Sequence, residues 1–137
     1  MSRWQATPIV PGDASGQLLR FERPISLWGG VDPQTGNVTD PRHPQHGACV
    51  AGRVIALPGT VGSSSSSYIM LELLASGCAP AAVILPEPDA ILSLGVVVAR
   101  EMGFASIPVV QLPVSEQAAL PEGSLHVASD GTIAAVT

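Results

Sequence analysis

The sequence predicts an α/β layered fold in a single domain spanning residues 1–137. Three observations carry that expectation. Short apolar runs end at Leu57, Leu85 and Leu112, and helix-like segments separate them. Each of those segments has its own start and stop residues. The C-terminal residues read as a hairpin about Asp130-Gly131. Strands alternating with helices imply a parallel sheet with right-handed crossovers, helices packed on it.

In chain order, Ala6 to Val10 reads as a short edge strand, because Pro8 cannot donate to a ladder. Pro11 to Gly16 is a turn cluster. Gln17 to Glu22 reads as a strand, and Pro24 to Trp28 as a second extended piece. Gly29 to Gly47 is a long loop holding Asp32, Asp40, Arg42, His43 and His46. Loops beyond about 12–15 residues are uncommon and often functional. Ala48 to Leu57 is the first buried strand, with Arg53 as its one charge. A helix follows from about Ser64 to Ser76; it is apolar nearly all round, and Gly77 supplies its stop. Ala81 to Leu85 is a second strand, parallel to the first. Asp89 caps a helix over Ala90 to Met102, and Gly103 ends it. Ile107 to Leu112 is the third strand, Ser115 to Leu120 one helical turn, and Ser124 to Val136 the hairpin. The early strands and the hairpin form a second, barrel-like β layer.

Hydrophobic residues make up 46% of the chain, which is ample for a core. Only 12% are charged, against roughly a quarter in soluble domains, so part of the surface is expected to be covered by a partner. The net charge of −5, with six Arg and no Lys, argues against a nucleic-acid footprint. Cys49 and Cys78 lie at or beside apolar stretches and read as buried free thiols; two cysteines cannot build a four-cysteine metal site. His43 and His46 are separated by Pro44, off any regular helix face, and no third ligand is evident, so no metal site is expected. The N-terminus has no positive region followed by an apolar core, and no apolar run is long enough to span a bilayer. A cytoplasmic location is expected.

The stretch Gly59-Thr60-Val61-Gly62-Ser63-Ser64-Ser65-Ser66-Ser67-Tyr68 organises the chain. A strand precedes it and a buried helix follows. Free N–H groups at a helix start attract negative charge, and serine oxygens accept orphan N–H groups there. A Gly/Ser run is commonly a flexible linker, but flanks buried in one core argue against a link between domains. The stretch suits either holding an anion or positioning one serine oxygen for chemistry.

Trp28-Gly29-Gly30-Val31-Asp32-Pro33 with Thr35-Gly36, His43-Pro44 with Gly47, Gly52-Arg53-Val54, and Gly62-Ser63 followed by Leu71-Glu72-Leu73-Leu74 and Gly77 with Pro80-Ala81 resemble the aconitase X swivel domain. The resemblance covers about residues 20–112. It implies a swivelling β/β/α fold, like the mobile last domain (domain 4) of aconitase. It also implies the small subunit of a two-subunit hydro-lyase, active only with a large subunit that carries an iron–sulfur cluster; this chain binds no cofactor of its own. Bacterial members of the family dehydrate cis-3-hydroxy-L-proline to Δ1-pyrroline-2-carboxylate. Archaeal members dehydrate mevalonate 5-phosphate to anhydromevalonate phosphate. The first is favoured here, since a phosphate substrate would make more basic residues welcome. By the same resemblance Ser63 is the general base, with Ser67 its rival. Gly62, Ser64, Ser65 and Arg53 bind substrate, and Gly29, Gly30 and Asp32 shape the loop. A serine is a poor base unless its alkoxide is stabilised; backbone N–H groups of Ser64 and Ser65 are the expected source. Aconitase follows its serine closely with an arginine, which this chain lacks, so the positive charge is expected from the large subunit, Arg53 or the helix start. Two readings of other classes compete: a non-catalytic swivel module that caps a partner, and a phosphohistidine domain, which would need a histidine where this chain has serines.

Overall fold

The computed structural model describes residues 3–61 and 65–136. Its strands are β1 (Arg3–Gln5), β2 (Thr7–Val10), β3 (Ala14–Arg20), β4 (Val54–Ala56), β5 (Ala82–Leu85), β6 (Val109–Gln111), β7 (Ser124–Val127) and β8 (Thr132–Ala135). Its helical segments are α1 (Leu27–Gly30), α2 (Ser66–Ser76), α3 (Ala90–Glu101) and α4 (Val114–Gln117). Among the described residues, eight strands share one sheet in the order β1-β8-β7-β3-β4-β5-β6-β2. The pairs β3–β4, β4–β5 and β5–β6 are parallel, and the others are antiparallel. The two ends of that order, β1 and β2, are separated in sequence by Ala6 alone, whose N–H bonds Gly131 O at 2.9 Å. The two ends of the sheet are therefore linked by continuity of the chain, which curls it toward a barrel-like form. This is the mixed α/β, swivelling β/β/α architecture expected above.

Side chains on successive strand residues point to opposite faces, and the core divides along that alternation. Val54 and Ala56, Ala82 and Ile84, and Val110 join Leu18, Leu125, Val127 and Ile133 in one cluster, between the parallel strands and the hairpin. Ile55, Val83, Leu85 and Val109 join the other cluster, with Met70 and Leu73 of α2 and Leu92 and Val96 of α3. Both faces of the parallel strands are thus covered, which explains their uninterrupted apolar sequence. Buried Gln117 donates from Nε2 to Leu57 O at 3.1 Å and Leu112 O at 3.0 Å, tying the exits of β4 and β6 together.

Three local expectations change. The strand read over residues 48–57 contracts to β4, because Gly52 takes a left-handed φ of 69° and Arg53 N–H bonds Val50 O at 3.0 Å, closing a turn. The extended piece read over residues 24–28 is a bend with the single turn α1, where Gly29 has φ 78° and Val31 N–H reaches Leu27 O at 3.2 Å. β3 begins at Ala14, inside the segment read as a turn, because β7 pairs with Ala14 to Gln17. The stop signals at Gly77 and Asp89 act as read: Gly77 is a left-handed cap with φ 78°, and Asp89 caps α3.

Candidate functional site

In an open parallel sheet, ligands collect beyond the carboxyl ends of the strands. The segments leaving β4 and β5 bound an open cleft of about 620 Å³ there, lined among others by Gly59, Thr60, Pro86, Glu87, Asp89 and Val114. Two carboxylates line this cleft and no basic side chain does, among the described residues. Asp89 faces two ways. Its Oδ1 accepts the N–H groups of Ile91 and Leu92 at 3.0 and 3.1 Å, capping α3. Its Oδ2 accepts the hydroxyl of Thr60 at 2.7 Å. Thr60 also forms a parallel bridge with Ile25, and Val61 N–H donates to Ile25 O at 3.2 Å. The strand-to-helix connection is thereby fixed up to Val61.

Ser63, Gly62 and Ser64 lie outside the described residues. Ser65 stands at the N-cap position of α2, and its carbonyl accepts Ile69 N–H at 3.0 Å. Arg53 lies before β4, at the opposite end of that strand from Gly59. Its guanidinium donates to Gln17 O at 3.2 Å and Leu18 O at 3.0 Å, in a second groove with Arg20 and Glu122. The structure therefore brings Ser65 to the mouth of α2 and leaves Arg53 at the far end of β4.

The residues read as loop-shaping sit beside α2. Asp32 Oδ1 accepts Gln34 N–H at 2.9 Å, and Asp32 O accepts Gly36 N–H at 2.7 Å, which closes the turn. A side chain at Gly30 would stand 2.8 Å from Ile25 Cγ1. Gln34 Nε2 donates to Glu72 Oε2 at 3.3 Å. The Glu72 carboxylate beside Tyr68 raises the phenol's pKa, through hydrogen bonding and its charge. Gln34 thus ties the Gly-Gly-Val-Asp-Pro loop to Glu72 of α2. A groove of about 460 Å³ lies beside it, lined by Trp28, Asp32, Pro33, Thr39, Tyr68 and Ile69. Trp28, Tyr68 and Leu94 are 59%, 54% and 54% exposed; Tyr68 borders this groove and a second one with Leu94 and Gly95, so the three form one apolar surface.

The histidines take other roles. His43 is buried against Phe21; its Nδ1 accepts Gln45 N–H at 3.1 Å, which leaves Nε2 to donate to Arg23 O at 2.9 Å. That arrangement makes the ring a strut for the loop. His126 meets Ser15 Oγ at 2.7 Å and Asp13 at 3.6 Å. Ser15 and His126 are direct cross-strand partners of β3 and β7, and the ring and the carboxylate are 42% and 61% exposed, so water competes for each contact. The grouping reads as surface pairing rather than an activated serine. Among the described residues no three His, Cys, Asp or Glu side chains stand together as a metal site. No helix among them is long and apolar enough to cross a membrane.

Sequence reasoning missed the second function of Asp89 and the cleft position of Glu87. The capping signal at Asp89 is local and legible; its bond to Thr60 joins residues 29 apart, and no short-range pattern records it.

The family model described as "Aconitase X swivel domain" matches residues 3–135. The chain is 48% identical over 101 residues to the cis-3-hydroxy-L-proline dehydratase of Pseudomonas aeruginosa, covering 74% of this chain and 17% of that protein. It is 42% identical over 135 residues to the enzyme of the same name from Hypocrea jecorina, covering 98% and 23%. It is 36% identical over 122 residues to the phosphomevalonate dehydratase small subunit of Methanothermobacter thermautotrophicus, covering 89% and 88%. The chain thus spans about a fifth of the two hydroxyproline dehydratases and most of the small subunit. The crystal structure of Thermococcus kodakaraensis aconitase X in its holo-form superposes with a TM-score of 0.86 at 29% identity, over 100% of both chains.

Proposed function

The chain belongs to the aconitase X swivel-domain family, and from that premise we propose that it is the small subunit of a two-part cytoplasmic hydro-lyase, with Ser63 as the base. The reaction removes the proton beside a substrate carboxylate and expels a neighbouring hydroxyl. Ser63 would take the proton, its alkoxide stabilised by the positive end of the α2 dipole. The iron–sulfur cluster belongs to the large subunit in this reading, in keeping with the family resemblance. The apolar surface of Trp28, Tyr68 and Leu94 suits the contact with that subunit. Asp32 and Gly30 act by holding the adjoining loop in shape.

The observation that carries the choice of substrate is the charge of the cleft. Glu87 and Asp89 line it without a basic side chain among the described residues. Such a wall repels a phosphate and attracts a protonated ring nitrogen. It favours cis-3-hydroxy-L-proline, giving Δ1-pyrroline-2-carboxylate, over mevalonate 5-phosphate. The test is to reconstitute the chain with its large subunit and assay both compounds. Turnover of the hydroxyproline alone is expected; turnover of the phosphorylated acid would overturn the substrate choice while leaving the hydro-lyase reading standing.

A further inference from the structure

We infer that the groove beside Trp28 and Tyr68 is the seat for an arginine side chain of the large subunit, laid against the two rings and paired with Asp32. The inference rests on the two-subunit reading and adds the chemistry of the contact; it is independent of which residue is the base. The groove holds about 460 Å³. It is bordered by Trp28 of the α1 bend and Tyr68 near the start of α2, which are 59% and 54% exposed, and by the buried residues Val31 and Ile69. Its carboxylate is Asp32, and no basic side chain among the described residues lines it. Asp32 Oδ1 accepts Gln34 N–H at 2.9 Å, which orients the carboxylate and leaves Oδ2 for a second donor. Glu72, beside the Tyr68 phenol, adds another negative charge nearby. The Trp28 side is held before any partner arrives. Ser26 Oγ donates to Trp28 O at 3.1 Å, Thr39 Oγ1 to Gly29 O at 3.3 Å and Thr39 N–H to Gly30 O at 2.9 Å. Two π faces, an apolar lining and a carboxylate select a delocalised cation. Ring quadrupoles attract positive charge, and a planar guanidinium stacks on rings while its N–H groups bond a carboxylate. A purely apolar knob would instead desolvate Asp32 without pairing it. The chain matches only 17% and 23% of the length of two relatives, so in those proteins a much larger body is available to cover this face. That favours the large subunit over a second copy of this chain as the source of the arginine.

The test measures assembly of the full chain with the large subunit by calorimetry. Asp32→Asn keeps an oxygen for Gln34 N–H and removes the charge. It is expected to raise Kd about 10- to 100-fold, the worth of a charged hydrogen bond. Trp28→Leu keeps apolar bulk and removes the π face, and is expected to raise Kd about 3- to 30-fold. Trp28→Phe restores a ring and is expected to recover most of that loss. The arginines of the large subunit are then replaced by glutamine in turn. One of them should weaken assembly to a similar degree, and combining it with Asp32→Asn should add no more than about twofold, as two ends of one contact do. If the wild-type chains do not assemble, the two-subunit reading falls and this inference with it. If they assemble and Asp32→Asn and Trp28→Leu leave Kd unchanged, the arginine seat falls and the two-subunit reading stands. A Trp28→Leu loss without an Asp32→Asn loss marks a plain apolar contact and overturns the proposal. So does the absence of any coupled arginine, or a dimer of the isolated chain that Asp32→Asn dissociates. Should Asp32→Asn fail to fold by circular dichroism, the coupling of the arginine to Trp28→Leu decides.

Discussion

At the tip of the hairpin Asp130 accepts the N–H of Thr132 at 2.9 Å. Bonds from the Thr132 backbone and hydroxyl lower its carboxyl below the ordinary 3.8. A carboxylate depressed on folding stabilises the fold above its unfolded pKa, and that part is lost as pH falls through the lower folded value. Asp130→Asn is therefore expected to be the less stable protein at neutral pH and to converge on wild type in acid below 3.8, read by urea melts across the pH series. Gly30 supplies a steric prediction. With Ile25 Cγ1 only 2.8 Å from any added Cβ, Gly30→Ala overpacks the bend, at a cost of about 1–3 kcal/mol in denaturant melts. Single residues of this kind were only partly legible beforehand. Asp32 announces its turn through the Pro and Gly around it, whereas the contact between Gly30 and Ile25 is a matter of packing that composition does not encode.

Among the elements, α2 and α3 were read nearly to their ends, because a cap and a stop are local chemistry: Asp89 at one start, Gly77 at one end. β5 was legible for a similar reason, as an apolar run stopped by Pro86. β4 was overrun because its apolar residues continue upstream of the strand; only the left-handed backbone of Gly52 separates Val50 from the ladder. β3 was misplaced because Ser15 and Gly16 read as turn residues, and only β7, more than a hundred residues on, makes them strand. Packing gives the prediction at this scale. Leu73 is 1% exposed between α2 and the sheet, so Leu73→Ala is expected to cost about 2–5 kcal/mol, measured as a shift in the urea midpoint.

The single curled sheet of the whole molecule is anticipated only as a barrel-like layer; its continuity depends on β1 meeting β8 and β2 meeting β6, contacts that join distant parts of the chain. The described surface carries the acidic cleft and the apolar surface of Trp28, Tyr68 and Leu94. The low charge of the sequence pointed toward a covered surface, but could not locate it. Trp28→Ser combined with Leu94→Ser is expected to weaken assembly with the large subunit at least about tenfold, as central anchors do. Stability of the isolated chain should move by no more than about 0.5 kcal/mol per site, since both side chains are exposed. Titration by calorimetry and a urea melt of the same variant check the two halves of that statement.

Proton abstraction by Ser63 is most directly tested in heavy water. The assembled enzyme is given cis-3-hydroxy-L-proline, and deuterium entry beside the carboxylate is followed by NMR together with product. Ser63→Ala should lose exchange and dehydration alike, each by about 10²–10⁴-fold. Exchange at the wild-type rate in Ser63→Ala would show that another group takes the proton, and would contradict the account.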